Sequence, residues 1–178
     1  MGSGEGQRAA AGRTVVPGRA TPGSVPETLI LGLGNPLRGD DGVGVRLAQM
    51  LAGRRLPAGV EVVDGGTQGL GLVSLLEGRR RAIVIDAAEM GRRPGEFVRF
   101  MADEVHLSDM QGAGFSVHEA GLREALLLAR ALGLLPDEVV VYGVQPARVE
   151  WDAGLSPQVE AALPALAEAV MDEVTAAN

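Results

Sequence analysis

TLILGLGNPLRGDDGVG, residues 28–44, holds the decision about the fold. It opens on Thr28–Gly32, a short and wholly apolar run ending in glycine, the pattern of a strand buried on both faces. Gly34 to Asp41 is dense in turn formers. Val43, Leu47, Met50 and Leu51 then fall at helical spacing, and Gly53 stops the helix.

The same alternation continues outward from this stretch. Val60–Val63 reads as a second strand, closed by the turn Asp64–Gly65–Gly66–Thr67, and a short helix follows over about Leu70–Glu77. Ala82–Asp86 is a third buried strand. Glu96–Phe100 alternates polar and apolar residues, which predicts an edge strand in antiparallel pairing. Leu122, Ala125, Leu126, Ala129 and Leu132 share one helical face, and Glu138–Val144 is the last strand. Val159, Leu163, Leu166 and Val170 mark the final helix, with Ser156 as its N-cap and Pro157 in its first turn. Strands and helices in this order predict an α/β fold: a three-layer helix–sheet–helix sandwich around a mostly parallel, five-stranded twisted sheet.

At 178 residues one domain is expected, over residues 27–178. Residues 1–26, rich in Gly and Pro and without helical or strand period, read as a flexible tail; they lack the apolar stretch of a signal peptide. No apolar run approaches a membrane span. With 0 Cys, disulfides, thiolate metal sites and cysteine nucleophiles are excluded. The formal net charge of −7 argues against a nucleic-acid partner. Arg79–Arg80–Arg81 is the only basic knot, and it reads as a solvated turn before a strand.

Ligands of open α/β sheets gather beyond the carboxyl ends of the strands. Those positions hold Asn35, Asp40 and Asp41 after the first strand, Asp64, Gly65, Gly66 and Thr67 after the second, and Asp86 at the end of the third. The loop before the third helix carries His118. A dinucleotide fingerprint fails here, because Leu37 stands where its third glycine belongs, and a chain without Lys has no P-loop lysine. No serine lies in a nucleophile elbow. With two histidines a Ser–His–Asp triad stays open, though nothing local supports it. A third option is a metal or acid–base site. Two carboxylates and an imidazole, Asp41, Asp86 and His118, form a mixed oxygen and nitrogen ligand set that suits nickel, zinc or iron and leaves coordination positions open. Each residue also has a plain alternative. Asp86 caps a turn, and Asp64 forms one. One of Asp40 and Asp41 caps the helix beginning near Gly42, and His118 is a helix-start residue. His106 is an exposed loop residue.

The sequence resembles the hydrogenase maturation proteases, the endopeptidases that trim the C-terminus of the nickel–iron hydrogenase large subunit. Gly32 through Gly44 is similar to that family's G-x-G-N-x-x-x-x-D-[DE]-x-x-G signature, and Asp64–Thr67 to its D-G-G-T segment. Ile83–Ala87 resembles its apolar strand ending in Asp-Ala, Ser116–Leu122 its S-x-H-x-x-G-L element, and Gly143–Pro146 through Gly154–Pro157 its C-terminal segment. The likeness is collinear over residues 28–175. It implies a phosphorylase/hydrolase-like fold and a metal-dependent or aspartic-type endopeptidase. Asp41, Asp86 and His118 would be both catalytic and metal-contacting, with Asn35, Asp64, Gly65, Gly66 and Thr67 binding substrate. The implied metal is Ni2+ carried in by the precursor, with Zn2+ or Cd2+ as possible occupants of the free enzyme. It either polarises the scissile carbonyl or activates a water, with an Asp as general base. Asp41 stands where some members have Glu, so its side chain is one methylene shorter. The implied partner is the precursor of the large subunit, met by a cytoplasmic monomer.

Two other classes share parts of the pattern. Peptidyl-tRNA hydrolases also open on a strand and G-L-G-N-P, but they follow it with a histidine-bearing element where this chain has Arg38-Gly39-Asp40-Asp41. A non-catalytic nickel carrier or hydrogenase-docking protein would use the same rim.

Overall fold

The computed structural model describes residues 25–102 and 119–176. Five strands carry the frame: β1 (Thr28–Leu33), β2 (Val60–Gly66), β3 (Arg81–Ala87), β4 (Phe97–Met101) and β5 (Glu138–Val144). They lie in the order β2-β1-β3-β5-β4. Only β4, at one edge, runs antiparallel to its neighbour. The alternating pattern of that segment, set against the apolar runs of β1 and β3, already separates an edge strand from central ones.

Among the described residues four α-helices complete the layers: α1 (Val43–Ala52), α2 (Leu72–Leu76), α3 (Glu119–Ala131) and α4 (Pro157–Ala176). The crossover from β1 to β2 and that from β2 to β3 move in opposite directions along the sheet. Right-handed crossovers in opposite directions place their helices on opposite faces. Accordingly α1 packs with α4 over Ile30, Ile83, Ile85 and Val140. The other face, Leu29, Leu31, Val84 and Val141, is covered by α2 and α3. Odd and even residues of one strand thus feed two separate cores, as the period of two requires.

Val43, Leu47 and Leu51 of α1, and Val159, Leu163, Leu166 and Val170 of α4, are all buried as their spacing predicts. The cap of α4 is also as expected, with Val159 N–H donating to Ser156 Oγ at 3.4 Å. Leu132 departs from its predicted face. Helix α3 ends at Ala131, and Leu132 is 58% exposed in the turn beyond.

The arginine knot is a larger departure. Arg79 and Arg81 are buried, and only Arg80 faces solvent. Arg79 pairs with buried Glu61 and donates to the Pro26 carbonyl at 2.8 Å. Arg81 donates to Glu138 at 3.0 Å and pairs with Glu173 near the end of α4. Arg79 precedes β3 and meets the Leu75 carbonyl of α2 and Glu61 of β2, whereas Arg81 opens β3 and meets Glu138 of β5 and Glu173 of α4. Local sequence shows the cations but not the distant carboxylates that neutralise them. These pairs lie at the amino end of the sheet, away from the carboxyl rim.

Candidate active site

Chain direction reverses between β1, which leads outward to β2, and β3, which leads toward β5. Such a reversal opens a crevice at the carboxyl ends of the two strands. A cleft of ≈ 200 Å3 lies there, lined by Leu33, Gly34, Gly66, Thr67, Asp86 and Leu122 among others.

Asp86 supplies the carboxylate of that wall. Its Oδ1 accepts the Ala87 N–H at 2.9 Å. Its Oδ2 is buried and has no hydrogen-bond partner among the described residues. Burial pushes the carboxyl up from the usual 3.8 to about 7; the Ala87 N–H opposes this, and the charge of Asp41 adds to it. Asp41 and Asp86 therefore act on one another although one comes from the turn after β1 and the other from the end of β3.

Asp41 is itself fully buried, in a single 3-10 turn over Gly39–Gly42 that leads into α1. Its Oδ2 accepts the Asn35 N–H at 2.8 Å, closing the loop on itself. Two glycines make this possible. A Cβ on Gly34, whose φ is 112°, would sit 1.7 Å from the Asp41 carbonyl oxygen. A Cβ on Gly44 would sit 2.2 Å from the Ile85 carbonyl oxygen, so only glycine lets α1 start against the end of β3.

Neither acid caps a helix, contrary to the sequence expectation; no side-chain cap bond is made at the 3-10 turn or at α1. Asp40 turns away from the helix and gathers the segment before α4. Its carboxylate accepts from Ala147 N–H (2.7 Å), Arg148 N–H (3.1 Å), Ser156 N–H (2.6 Å) and Ser156 Oγ (2.8 Å). The partners lie more than a hundred positions away, beyond the reach of any local reading. Ser156 thus both caps α4 and donates to Asp40.

The segment after β2 divides its labour. Gly66 and Thr67 line the cleft. Asp64 is the turn former it resembles in sequence, its Oδ1 accepting the Gly66 N–H at 3.0 Å. Gly65 is buried below, facing Leu31 and Leu33. Asn35 spends its side chain on its own turn, accepting the Leu37 N–H at 3.0 Å.

Gln145, buried after β5, was not singled out by the sequence, yet its Oε1 accepts from Met90 and Arg92 N–H at 2.7 and 3.1 Å and fixes the loop after β3. His118 lies outside the described residues, as do Ser116, His106 and residues 1–24. Gly121 and Leu122 of α3, which follow His118 in the chain, line the cleft. Among the described residues no group of three His, Cys, Asp or Glu is placed to hold a metal ion. Two carboxylates are present, one with an oxygen that no donor among the described residues satisfies, and that donor set suits a cation.

A family model for hydrogenase maturation proteases matches residues 45–173. The chain belongs to the hydrogenase maturation protease family. Among relatives of this protease, the hydrogenase expression/formation protein HupM of Azotobacter chroococcum mcd 1 is 42% identical over 151 residues, covering 83% of this chain and 72% of that protein. The hydrogenase 2 maturation protease of Escherichia coli is 33% identical over 150 residues, with 84% and 88% covered. Among solved structures, the hydrogenase maturating endopeptidase HybD from E. coli superposes with a TM-score of 0.77 at 32% identity, covering 85% of this chain and 94% of that one. The match decides against the peptidyl-tRNA hydrolase reading, which rested on the Gly32–Pro36 turn. No helix among the described residues of the protease is long and apolar enough to cross a membrane.

Proposed function

We propose that this protease removes the C-terminal extension of a nickel–iron hydrogenase large-subunit precursor after nickel has been inserted, and that it recognises the substrate through that nickel. The observation that carries the reading is Asp86: a buried carboxylate in the wall of a rim cleft, beside the charge of Asp41, with an oxygen left unsatisfied among the described residues. An isolated buried carboxylate is costly, and an incoming cation is the partner that would satisfy it. Asp41 and Asp86 would contact the substrate's nickel, with His118 as the third contact on the strength of its motif. The metal supplies Lewis acidity at the scissile carbonyl or at a water. The protein's own part is orientation and proton handling. The Asn35 N–H holds the Asp41 carboxylate, the Ala87 N–H holds that of Asp86, and Asp86 Oδ2 is free to take a proton near neutrality. The same carboxylates would hold Zn2+ or Cd2+ in the free enzyme. The reading takes the protease as a cytoplasmic monomer that meets its substrate transiently.

The test is to mix protease and nickel-loaded precursor and follow the subunit by mass spectrometry. Loss of a short C-terminal peptide is expected with the wild type and none with Asp41→Asn or Asp86→Asn. Full activity in either variant removes that residue from the site, and no peptide loss with the wild type removes the function.

A further inference from the structure

Two acids stand side by side in the turn Gly39–Gly42, and the chemistry above uses only one of them. Asp40 is 1% exposed, yet its carboxylate is met by donors throughout: Ser156 N–H on Oδ1, and Ala147 N–H, Arg148 N–H and Ser156 Oγ on Oδ2. A buried carboxylate is a costly way to join two loops, since apolar contact joins them as well. What it adds is direction, because its two oxygens accept along fixed lines from both ends of the segment before α4. The backbone of the turn completes the tie. Gly39 N–H donates to the Asp152 carbonyl at 2.7 Å, and Asp40 N–H to the Arg148 carbonyl at 3.1 Å.

The segment that Asp40 grips is itself fixed to β3. Val144 pairs with Ala87, and its carbonyl accepts the Ala88 N–H at 2.8 Å. Gln145 Oε1 then holds Met90 and Arg92 N–H of the loop that follows β3. Ala147 and Arg148 come just after. A run of bonds thus leads from the turn of Asp41, through the Asp40 carboxylate and the segment after β5, to the strand end that carries Asp86. On its other side the Asp41 backbone packs against Gly34, where a Cβ would come 1.7 Å from the Asp41 carbonyl oxygen.

We propose that Asp40 is a positioning residue of the protease: through the segment after β5 it sets where the Asp41 carboxylate stands relative to Asp86, and so how well the pair grips a divalent cation. This rests on the metal reading above and adds to it the residue that holds the pair in register. Groups that orient a metal's ligands from behind change cation affinity or activity about 10–100-fold when lost.

The experiment compares wild type with three variants. Asp40→Asn keeps the size of the side chain but sets an NH2 against donors that need an acceptor. Ser156→Ala leaves the acid and removes one of its donors. Glu173→Gln, near the other end of α4, controls for stability lost at a distance. Each free protein is titrated with Cd2+ by calorimetry, its Asn35 amide proton is followed by NMR, and its processing of a nickel-loaded large-subunit precursor is timed. Asp40→Asn is expected to weaken Cd2+ binding at least about tenfold and to lower kcat/KM by a similar factor. It should also shift the Asn35 amide resonance, since that proton is donated to Asp41. Ser156→Ala moves the same readouts the same way by less, and Glu173→Gln moves none. An unchanged Cd2+ affinity in folded Asp40→Asn overturns the proposal; the close approach of Gly44 to the end of β3 would then place Asp41 by itself. So does an unchanged Asn35 resonance, because the effect would not run through Asp41, and so does an equal change in Glu173→Gln. If Asp40→Asn does not fold, Ser156→Ala decides by the same readouts. A wild type that binds no Cd2+ removes the metal reading of the free enzyme, and the Asn35 resonance with kcat/KM decides Asp40. A wild type that cleaves no precursor removes the protease reading, and Cd2+ affinity with the Asn35 resonance decides it.

Discussion

Replacing Asp86 by Asn should make the metal-free protein more stable at pH 8 while ending its activity. In the folded chain the carboxyl is pushed up from 3.8 to about 7, chiefly by burial. Between these values the folded state keeps a proton that the unfolded state has released. Stability therefore falls as pH rises through this window, by about 1.36 kcal/mol per pH unit. A span of about three pH units makes the full penalty about 4 kcal/mol at pH 8, absent at pH 4. Asn does not titrate. Its buried NH2 adds a cost of about 1–3 kcal/mol, but that cost is the same at every pH. The difference in unfolding free energy, variant minus wild type, should therefore rise by about 4 kcal/mol from pH 4 to pH 8. Urea melts of both proteins across this range, with chelator present, measure it directly. A difference that stays flat within about 1 kcal/mol would show that Asp86 is not held in a carboxylate-hostile site, and the cation argument would lose its energetic basis.

Other consequences can be measured on the free protein. Asp40→Ala removes the acceptor for four donors that tie two loops together, and it should cost at least about 3 kcal/mol in urea midpoint analysis; a loss under about 1 kcal/mol would mean the loops hold without it. Gly44→Ala, whose Cβ would lie 2.2 Å from a backbone oxygen, should leave little folded protein, whereas Gly59→Ala, at φ 78° with nothing within 4 Å, should cost only about 1–2 kcal/mol. Circular dichroism melts separate the two, and equal losses would refute the close-approach argument. Glu173 is 13% exposed and its carboxyl is lowered to about 2, first by the hydrogen bond from Arg99 and with Tyr142 also donating. Its contribution is present above about pH 4.5 and lost as pH falls toward 2, at most about 3 kcal/mol. Glu173→Gln should flatten that acid limb, and an unchanged limb would place the acid sensitivity elsewhere.

The parts of this molecule legible in sequence are those fixed by local pattern. Apolar runs marked β1 and β3, an alternating run marked the edge strand β4, and spacing marked the buried faces of α1 and α4. The turn formers after β1 and β2 marked the rim. What could not be read depends on partners far along the chain. Asp40 looked like a helix cap because its true partners, Ala147 to Ser156, are brought to it only by the fold. Arg79 and Arg81 looked solvated because Glu61, Glu138 and Glu173 sit on other elements. Gln145 lay within the segment that resembles the family but was given no role, since one amide after a strand has no distinctive task until it meets the loop it fastens. Asp86 was placed by its position at a strand end, but its elevated proton affinity follows from burial and from Asp41, which only the three-dimensional arrangement supplies.

If the rim carboxylates read the metal inside the substrate, cleavage depends on nickel. This is measured on two preparations of one large-subunit precursor, nickel-loaded and nickel-free, each incubated with the wild-type protease and weighed by mass spectrometry. Loss of the C-terminal peptide from the loaded preparation alone is the predicted result. Equal cleavage of both would contradict it, and Asp41 and Asp86 would then need a role that involves no nickel.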